Sequence, residues 1–223
     1  MTDVASNLEK IRSELPAGVK LVAVSKFHPA DVVKKAYDAG QRIFGENRAQ
    51  ELVAKQPELP ADVEWHFIGH LQKNKVKAVV GKAAMVQSVD SMELLALIDK
   101  ESKKLGVVTD VLLQIHIAQE EAKSGFSIAE LDALCESGAM DTLGNVRVRG
   151  LMTMATNTSD EQQVAREFGT VKAEFDKLRR GHFSGRPEFN ELSMGMSHDW
   201  KIAVANGSTM VRIGTSIFGP REY

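Results

Sequence analysis

The chain has 223 residues, of which 43% are hydrophobic and 26% charged, and its formal net charge is −2. This composition is typical of a globular protein and excludes a disordered, collagen-like or disulfide-rich chain. The near-neutral charge disfavours binding to nucleic acid or to an acidic membrane surface. No apolar run reaches the roughly 20 residues of a membrane span, and the charged start is not a signal peptide. We therefore expect a cytoplasmic protein without nucleic-acid or membrane partners and, in the absence of a heptad pattern, a monomer.

Short β-branched or aromatic runs alternate with stretches of helical apolar spacing along the chain. Eight runs are predicted as strands, over 20–25, 42–45, 63–68, 85–89, 110–117, 146–152, 189–194 and 209–213. Helices are predicted between them, over about 29–40, 48–55, 72–80, 91–105, 128–136, 160–180 and 199–205. This alternation predicts a closed parallel (β/α)8 barrel, with residues 1–223 forming one domain. An open doubly wound sheet is the alternative, but no glycine fingerprint follows the first strand.

No full helix follows the eighth predicted strand, so the amphipathic segment before the first strand is predicted to take that place in the outer ring. The single cysteine, Cys135, lies on the apolar face of a predicted helix. We predict that its thiol is buried and unreactive. The six histidines show no paired ligand spacing, so no metal site is predicted.

Polar and glycine residues gather where the predicted strands end, at the edge where parallel barrels carry their chemistry. The segments Ser193–Ser197 (SMGMS) and Gly214–Ser216 (GTS) end the last two strands. Glycine amides and hydroxyl groups suit a phosphate, and a helix opening over 196–198 would add its amino end. A pair of tight turns is the alternative for either loop alone.

Two basic residues lie on strands that meet when the barrel closes. Strand alternation puts Val22, Val24 and Lys26 on one face, so Lys26 faces the barrel mouth if the valines point inward. Lys26 then either neutralises a phosphate or forms a Schiff base, unless it is simply a surface lysine. Arg212 shares a face with Met210, and an inward arginine needs an acceptor. That acceptor is either an anion or ring nitrogen of a ligand, or a carboxylate such as Glu191.

These segments resemble the pyridoxal phosphate homeostasis protein family, whose members are related to the barrel domain of alanine racemase. The matching segments are AVSKFHP (23–29), FGENRAQE (44–51), WHFIGHLQKNK (65–75), SVDS (88–91), EEAKSGF (120–126), GLMTMA (150–155), LSMGMSHDW (192–200) and GSTMVRIGTSIFG (207–219). Any one of them is weak alone, but together they cover the chain from near residue 20 to its end. The resemblance implies a barrel of the alanine racemase N-terminal-domain type.

The resemblance also implies the ligand, pyridoxal 5′-phosphate (PLP), held as an aldimine by Lys26. It implies that hydroxyl or backbone groups of five residues cradle the phosphate, namely Ser193, Gly195, Ser197, Gly214 and Thr215. It puts Arg212 at the pyridine nitrogen and lines the ring with Val24, Asn47 and Met152. The implied role is a PLP carrier in PLP homeostasis, with apo PLP-dependent enzymes as partners.

An arginine at the ring nitrogen predicts that the protein turns over little or no amino-acid substrate. An arginine cannot take up the proton that a strong PLP electron sink keeps on the ring nitrogen. Related racemases add a second base from another domain, whereas here the chain ends soon after the eighth strand. Of the two tyrosines, Tyr37 lies within a predicted helix and Tyr223 is the last residue. A PLP-dependent racemase or lyase and a Schiff-base enzyme for sugar phosphates remain the alternatives.

Two lysine-containing segments add weaker signals. Lys73–Lys77 is locally basic and is either a second phosphate or partner site or a solvated helix face. Lys123 lies in the loop after the fifth predicted strand, which is either a lid that reaches the ligand or a plain capping loop.

Overall fold

A computed structural model describes residues 3–119 and 124–220, and in it eight parallel strands close into a barrel. Each strand pairs with the next along the chain, and the last pairs with the first, placing Val22 opposite Arg212. The predicted closed (β/α)8 barrel is confirmed. The strands are β1 (Lys20–Val24), β2 (Ile43–Glu46), β3 (Glu64–Phe67), β4 (Met85–Val89), β5 (Thr109–Ile115), β6 (Val146–Thr153), β7 (Glu191–Ser193) and β8 (Met210–Ile213).

The helices surround the barrel. In the described ranges they are α1 (Val4–Glu14), α2 (Ala30–Asp38), α3 (Ala49–Lys55), α4 (Val76–Val79), α5 (Met92–Leu105), α6 (Ile128–Ser137), α7 (Glu161–Arg180), α8 (Trp200–Ala205) and α9 (Thr215–Phe218). Short 3-10 turns cover Gln56–Glu58, Lys73–Lys75 and Ala139–Thr142. The helix α1 packs against α9 and α2, and Asn7 Nδ2 donates to the Ile217 carbonyl at 3.1 Å. As predicted, α1 thus takes the place in the ring that the one-turn α9 leaves.

Local sequence signals fix several helix ends. Ser91 caps α5 by accepting the Leu94 amide, and Gly106 ends the helix in a left-handed conformation. Ser127 and Glu130 form a reciprocal capping box at α6. The Asp160 carboxylate accepts two amides at the start of α7.

Most predicted elements differ from those observed by a few end residues, and two of these differences have a physical reason. The predicted helix over 72–80 divides into a 3-10 turn and the single-turn α4, and Gly81 follows with a φ of +79°. The predicted strand over 189–194 is reduced to β7. Phe189 instead stacks on Phe183 and Phe175, outside the pairing with β6. Packing of the aromatic ring therefore overrides the strand propensity of Phe189.

Two apolar layers hold the barrel. The interior is filled by Val22, Met85, Leu112, Met152 and Met210, which come from five strands. The larger layer lies between the strands and the helices, and α7 contributes Phe168, Val171 and Phe175 to it. Strand alternation gives each strand one face in each layer.

Cys135 belongs to the outer layer and is 8% exposed. Burial raises the pKa of its thiol to about 11, which disfavours the reactive thiolate and agrees with the prediction. No helix in the described ranges is long and apolar enough to span a membrane. Within the same ranges, no three His, Cys, Asp or Glu side chains are grouped to hold a metal.

Candidate functional site

A cavity of about 280 Å³ opens at the carboxyl ends of the strands. Seven of the ten predicted site residues line it: Val24, Lys26, Asn47, Ser197, Arg212, Gly214 and Thr215. The other lining residues are His28, Ile68, Met154, Met196, His198 and Gly219. Met152, Ser193 and Gly195 are buried outside this lining. The barrel thus gathers residues at the ends of β1, β2, β3, β6, β7 and β8 around one space.

The charged side chains in the described lining of the cavity are basic. Its lining includes Lys26, Arg212, His28 and His198, whereas the described lining residues include no aspartate or glutamate. A lysine and an arginine that line one cavity favour an anionic ligand.

Lys26 reaches the cavity through the alternation of β1. Val22 belongs to the barrel interior, and Val24 and Lys26 line the cavity above it. The end of β8 lies close by, since a Cβ on Gly214 would approach the Val24 carbonyl oxygen to 3.0 Å. Glycine at 214 therefore lets the end of β8 approach the strand that carries Lys26.

Arg212 is 4% exposed and points into the barrel, as its face shared with Met210 predicts. Its guanidinium donates to the Ser193 carbonyl at 2.9 Å, to Ser193 Oγ at 2.7 Å and to the Thr153 carbonyl at 2.9 Å. Burial lowers the pKa of Arg212 to about 10. The alternative of a salt bridge to Glu191 is wrong, because Glu191 pairs with Lys20 and Arg149.

A buried hydrogen-bonded chain extends from Arg212 across the barrel. Since arginine only donates, Ser193 Oγ accepts from it and donates its own hydrogen to Gln87 Oε1 at 2.7 Å. The Gln87 amide nitrogen then faces His66 Nδ1 at 2.7 Å. Burial lowers the pKa of His66 to about 3, so the ring is neutral and Nδ1 can accept. The sequence alone did not predict that these four residues form one hydrogen-bonded chain.

The two loops predicted to bind phosphate lie together. Ser197 Oγ accepts the Gly214 amide at 3.3 Å, which joins the loop after β7 to the loop after β8. Gly195 has a φ of +93°, and a Cβ there would lie 2.7 Å from Ala203 Cβ. Gly195 therefore lets α8 pack against this loop.

The predicted helix opening over 196–198 is wrong. The Asp199 carboxylate accepts the Met196 amide at 2.5 Å, so residues 196–199 form a turn and α8 begins at Trp200. The hydroxyl groups and backbone of the loops, rather than this helix end, are the groups present for an anion.

Asn47 supplies a test of whether a ligand fits. Its Oδ1 atom is buried, yet it has no hydrogen-bond partner in the described part of the protein. A Cβ on Gly69 would lie 2.3 Å from the Asn47 carbonyl oxygen, so glycine at 69 lets the ends of β2 and β3 approach. An unsatisfied carboxamide beside a cavity fits a ligand that has polar groups of its own.

The sequence reasoning missed several lining residues. Met154 was detectable, because it shares the strand face of Met152. His28 and Gly219 depend on tertiary packing, in which the His28 ring lies 5.1 Å from that of Phe218. No pattern in the sequence identifies such a pair.

The remaining predicted features lie away from the cavity or outside the described residues. The Tyr37 hydroxyl on α2 donates to Asp62 at 2.7 Å. Lys73 pairs with Glu93 at 2.5 Å, and both side chains are exposed. Lys123 and Tyr223 lie outside the described residues.

Comparison with known proteins defines the class of this barrel. The family model "Alanine racemase, N-terminal domain" matches residues 1–222. The structure of an alanine racemase from Clostridium difficile 630 superimposes with a TM-score of 0.76 at 18% identity, covering 96% of this chain and 55% of that one. The fold is therefore that of the alanine racemase barrel domain.

Several relatives share more of the sequence and almost their whole length with this chain. The pyridoxal phosphate homeostasis protein of Aquifex aeolicus is 40% identical over 92% of this chain and 88% of its own. That of Escherichia coli K12 is 38% identical over 100% and 99%. The structure of PipY from Synechococcus elongatus PCC7942 with PLP bound has a TM-score of 0.87 at 39% identity, covering 97% and 100%. The chain belongs to the pyridoxal phosphate homeostasis protein family.

Proposed function

We propose that this protein binds PLP in the cavity at the carboxyl end of the barrel and acts in PLP homeostasis as a carrier with little or no turnover. The observation that carries the proposal is the convergence of Lys26 and the buried Arg212 on one cavity that the hydroxyl-bearing Ser197 and Thr215 also line. The PLP-bound structure of the related PipY supports the choice of ligand.

Each predicted residue has a role that its position allows. Lys26 supplies the amine that holds the ligand covalently, because PLP, when bound, supplies an aldehyde that condenses with a primary amine. Ser197, Gly214 and Thr215 offer hydroxyl and backbone groups to the phosphate. Val24 and Asn47 would line the ring of PLP, and the carboxamide of Asn47 would face polar groups of the ligand.

The three predicted residues outside the cavity lining act from behind it. Met152 fills the barrel interior together with Val22 and Met210. Ser193 holds Arg212 through its carbonyl and hydroxyl groups, and Gly195 keeps the phosphate loop against α8. These three residues therefore contribute to PLP binding by positioning the residues that line the cavity.

Arg212 limits the chemistry that the site performs. Even at a pKa of about 10 it stays protonated at neutral pH, so it donates to the ring nitrogen and does not accept a proton from it. Its bonds to Ser193 and Thr153 hold it in this orientation. A carrier needs only a reversible bond to Lys26, and apo PLP-dependent enzymes are the proposed recipients.

The test is the visible absorption spectrum of the protein mixed with PLP, for wild type, Lys26→Ala and Lys20→Ala. Lys20 is also on β1 but pairs with Glu191, beyond the cavity lining, so its variant controls for loss of a lysine from this strand. We expect a yellow band in wild type and Lys20→Ala and none in Lys26→Ala. A wild type that stays colourless and does not bind PLP would refute the proposal.

A further inference from the structure

A buried charged cluster connects α3 to the segment that carries Lys26. Lys55, the last residue of α3, is 6% exposed. Its ammonium group donates to Glu46 Oε1 at 2.8 Å, to the Ser25 carbonyl at 2.9 Å and to Glu51 Oε2 at 3.1 Å. An ammonium group has three hydrogens, so these acceptors satisfy it. Neither Lys55 nor Glu51 lines the PLP cavity, and the proposed function leaves both unused.

The cluster holds the two peptide groups that flank Lys26. The carbonyl of Ser25, which belongs to the peptide before Lys26, accepts from Lys55. The amide of Phe27, which belongs to the peptide after Lys26, donates to Glu51 Oε2 at 2.7 Å. Two planar peptide groups fixed on either side of one Cα atom fix the direction of its Cα–Cβ bond, from which the lysine side chain starts.

The backbone after Lys26 is strained. Phe27 has a φ of +68°, and it is the only residue other than glycine with a positive φ in the described ranges. This conformation is unfavourable for an L-residue, so its surroundings must impose it. The Glu51 carboxylate on the Phe27 amide, with the Arg48 guanidinium 4.8 Å from the ring centre, supplies contacts from α3 and the residue before it.

The charges in the cluster come from two elements. Glu46 ends β2, where it also accepts the Ser25 hydroxyl at 2.6 Å, and Glu51 and Lys55 lie on α3. Burial of Glu46 alone would be unfavourable, and Lys55 offsets it. A buried ion pair adds little net stability to a fold, because both charges must be desolvated. Its directed hydrogen bonds do fix the backbone of the segment around Lys26.

We propose that Lys55 and Glu51 are positioning residues that hold the Lys26 backbone so that its amine meets the PLP aldehyde. The inference rests on the proposed function and adds to it a role for α3. A displacement of about 1 Å at a reacting group can slow a reaction by about 10²-fold. Loss of the Lys55 contact to the Ser25 carbonyl, or of the Glu51 contact to the Phe27 amide, is therefore expected to slow the reaction of Lys26 with PLP without weakening noncovalent binding.

The test compares two ligands. PLP reacts with Lys26, whereas pyridoxine 5′-phosphate carries an alcohol in place of the aldehyde and occupies the site without reacting. We expect Lys55→Met and Glu51→Ala to slow formation of the visible band with PLP by at least about tenfold. Their affinity for pyridoxine 5′-phosphate should stay within about twofold of wild type, since the phosphate loops are unchanged. Glu51→Gln keeps an oxygen for the Phe27 amide and should restore most of the rate.

A control variant separates positioning from general destabilisation. Lys20→Met removes another lysine paired with a buried glutamate, Glu191, away from the cavity, and should leave both ligands unaffected. If Lys55→Met does not fold, the comparison of Glu51→Ala with Glu51→Gln decides. Equal weakening of both ligands, or no effect on either, overturns the positioning role. Failure of wild type to bind PLP at all would instead refute the proposed function.

Discussion

Arg212 shows how one residue is prepared for a ligand. Its guanidinium is buried and already bonded to Ser193 and Thr153, so its orientation does not have to form on binding. Preorganised donors are worth more in a buried site than in water. Ser193 is itself oriented by Gln87, which extends the support across the barrel.

We predict that Ser193→Ala weakens PLP binding about tenfold, because it releases one contact of a buried charged donor that is worth about 1–3 kcal/mol. Ser102→Ala is the matched control, since Ser102 is also buried and its hydroxyl forms a hydrogen bond with that of Thr109 at 2.7 Å. Thermal unfolding and titration with PLP measure both effects. If the two variants lose stability equally and neither changes PLP affinity, Ser193 does not support Arg212 in binding.

Glu46 predicts a pH dependence of stability. Burial raises its pKa from 4.5 to about 7 in the folded protein. Between these values folding takes up a proton, so the stability contributed by Glu46 is present below pH 4.5 and is lost as the pH rises through about 7. The difference of about 2.5 pKa units corresponds to about 3 kcal/mol at most.

Glu46→Gln removes this titration. We expect the free energy of unfolding of wild type, measured against Glu46→Gln by urea denaturation, to fall as the pH rises from 4.5 to 7. Loss of the Lys55 pair adds an offset between the two proteins. A difference that stays constant over this range would contradict the raised pKa.

At the scale of elements, α8 packs closely against the loop after β7 because residue 195 is a glycine. A Cβ on Gly195 would lie 2.7 Å from Ala203 Cβ and 2.8 Å from Trp200 Cα, and the φ of +93° is itself unfavourable for alanine. The same loop carries Ser197, which contacts the Gly214 amide. The position of α8 is therefore coupled to the predicted phosphate loops.

Gly195→Ala should lower the free energy of unfolding by about 2 kcal/mol or more, from strain and overpacking together. It should also weaken binding of pyridoxine 5′-phosphate, which tests the phosphate loops without reaction at Lys26. Gly185→Ala is the control, because a Cβ there meets no atom within 4 Å. Unchanged stability of Gly195→Ala would show that α8 moves away at little cost.

The elements also show what the sequence can and cannot predict. Alternating strand and helix patterns were sufficient for the closed barrel, and alternation within β1 and β8 placed Val22 and Met210 inside it. The contact of Lys55 with Ser25 joins residues 30 positions apart on different elements. The turn made by Asp199 depends on a side-chain oxygen capturing one amide. Such contacts leave no periodic signal, so local patterns do not predict them.

At the scale of the whole molecule, the barrel brings together a lysine and an anion site, and the other titratable side chains of the described lining besides Arg212 are His28 and His198. Tyr37 is bonded to Asp62 on the outer ring, and the described cavity lining contains no tyrosine. Arg212 keeps its proton at neutral pH, since its pKa is about 10. A second proton carrier would therefore have to be one of these two histidines, of which His28 packs on Phe218 and His198 lies 3.4 Å from Asp199.

We therefore predict that the PLP-loaded protein racemises L-alanine at least about 10³-fold more slowly than an alanine racemase assayed beside it, because a positioned acid or base contributes about 10²–10⁴-fold. Formation of D-alanine measures this, with Lys26→Ala as the blank for background chemistry. The same loaded sample should restore activity to an apo PLP-dependent enzyme. Lysine-dependent racemisation within about tenfold of the reference enzyme would identify a catalyst and contradict the carrier role.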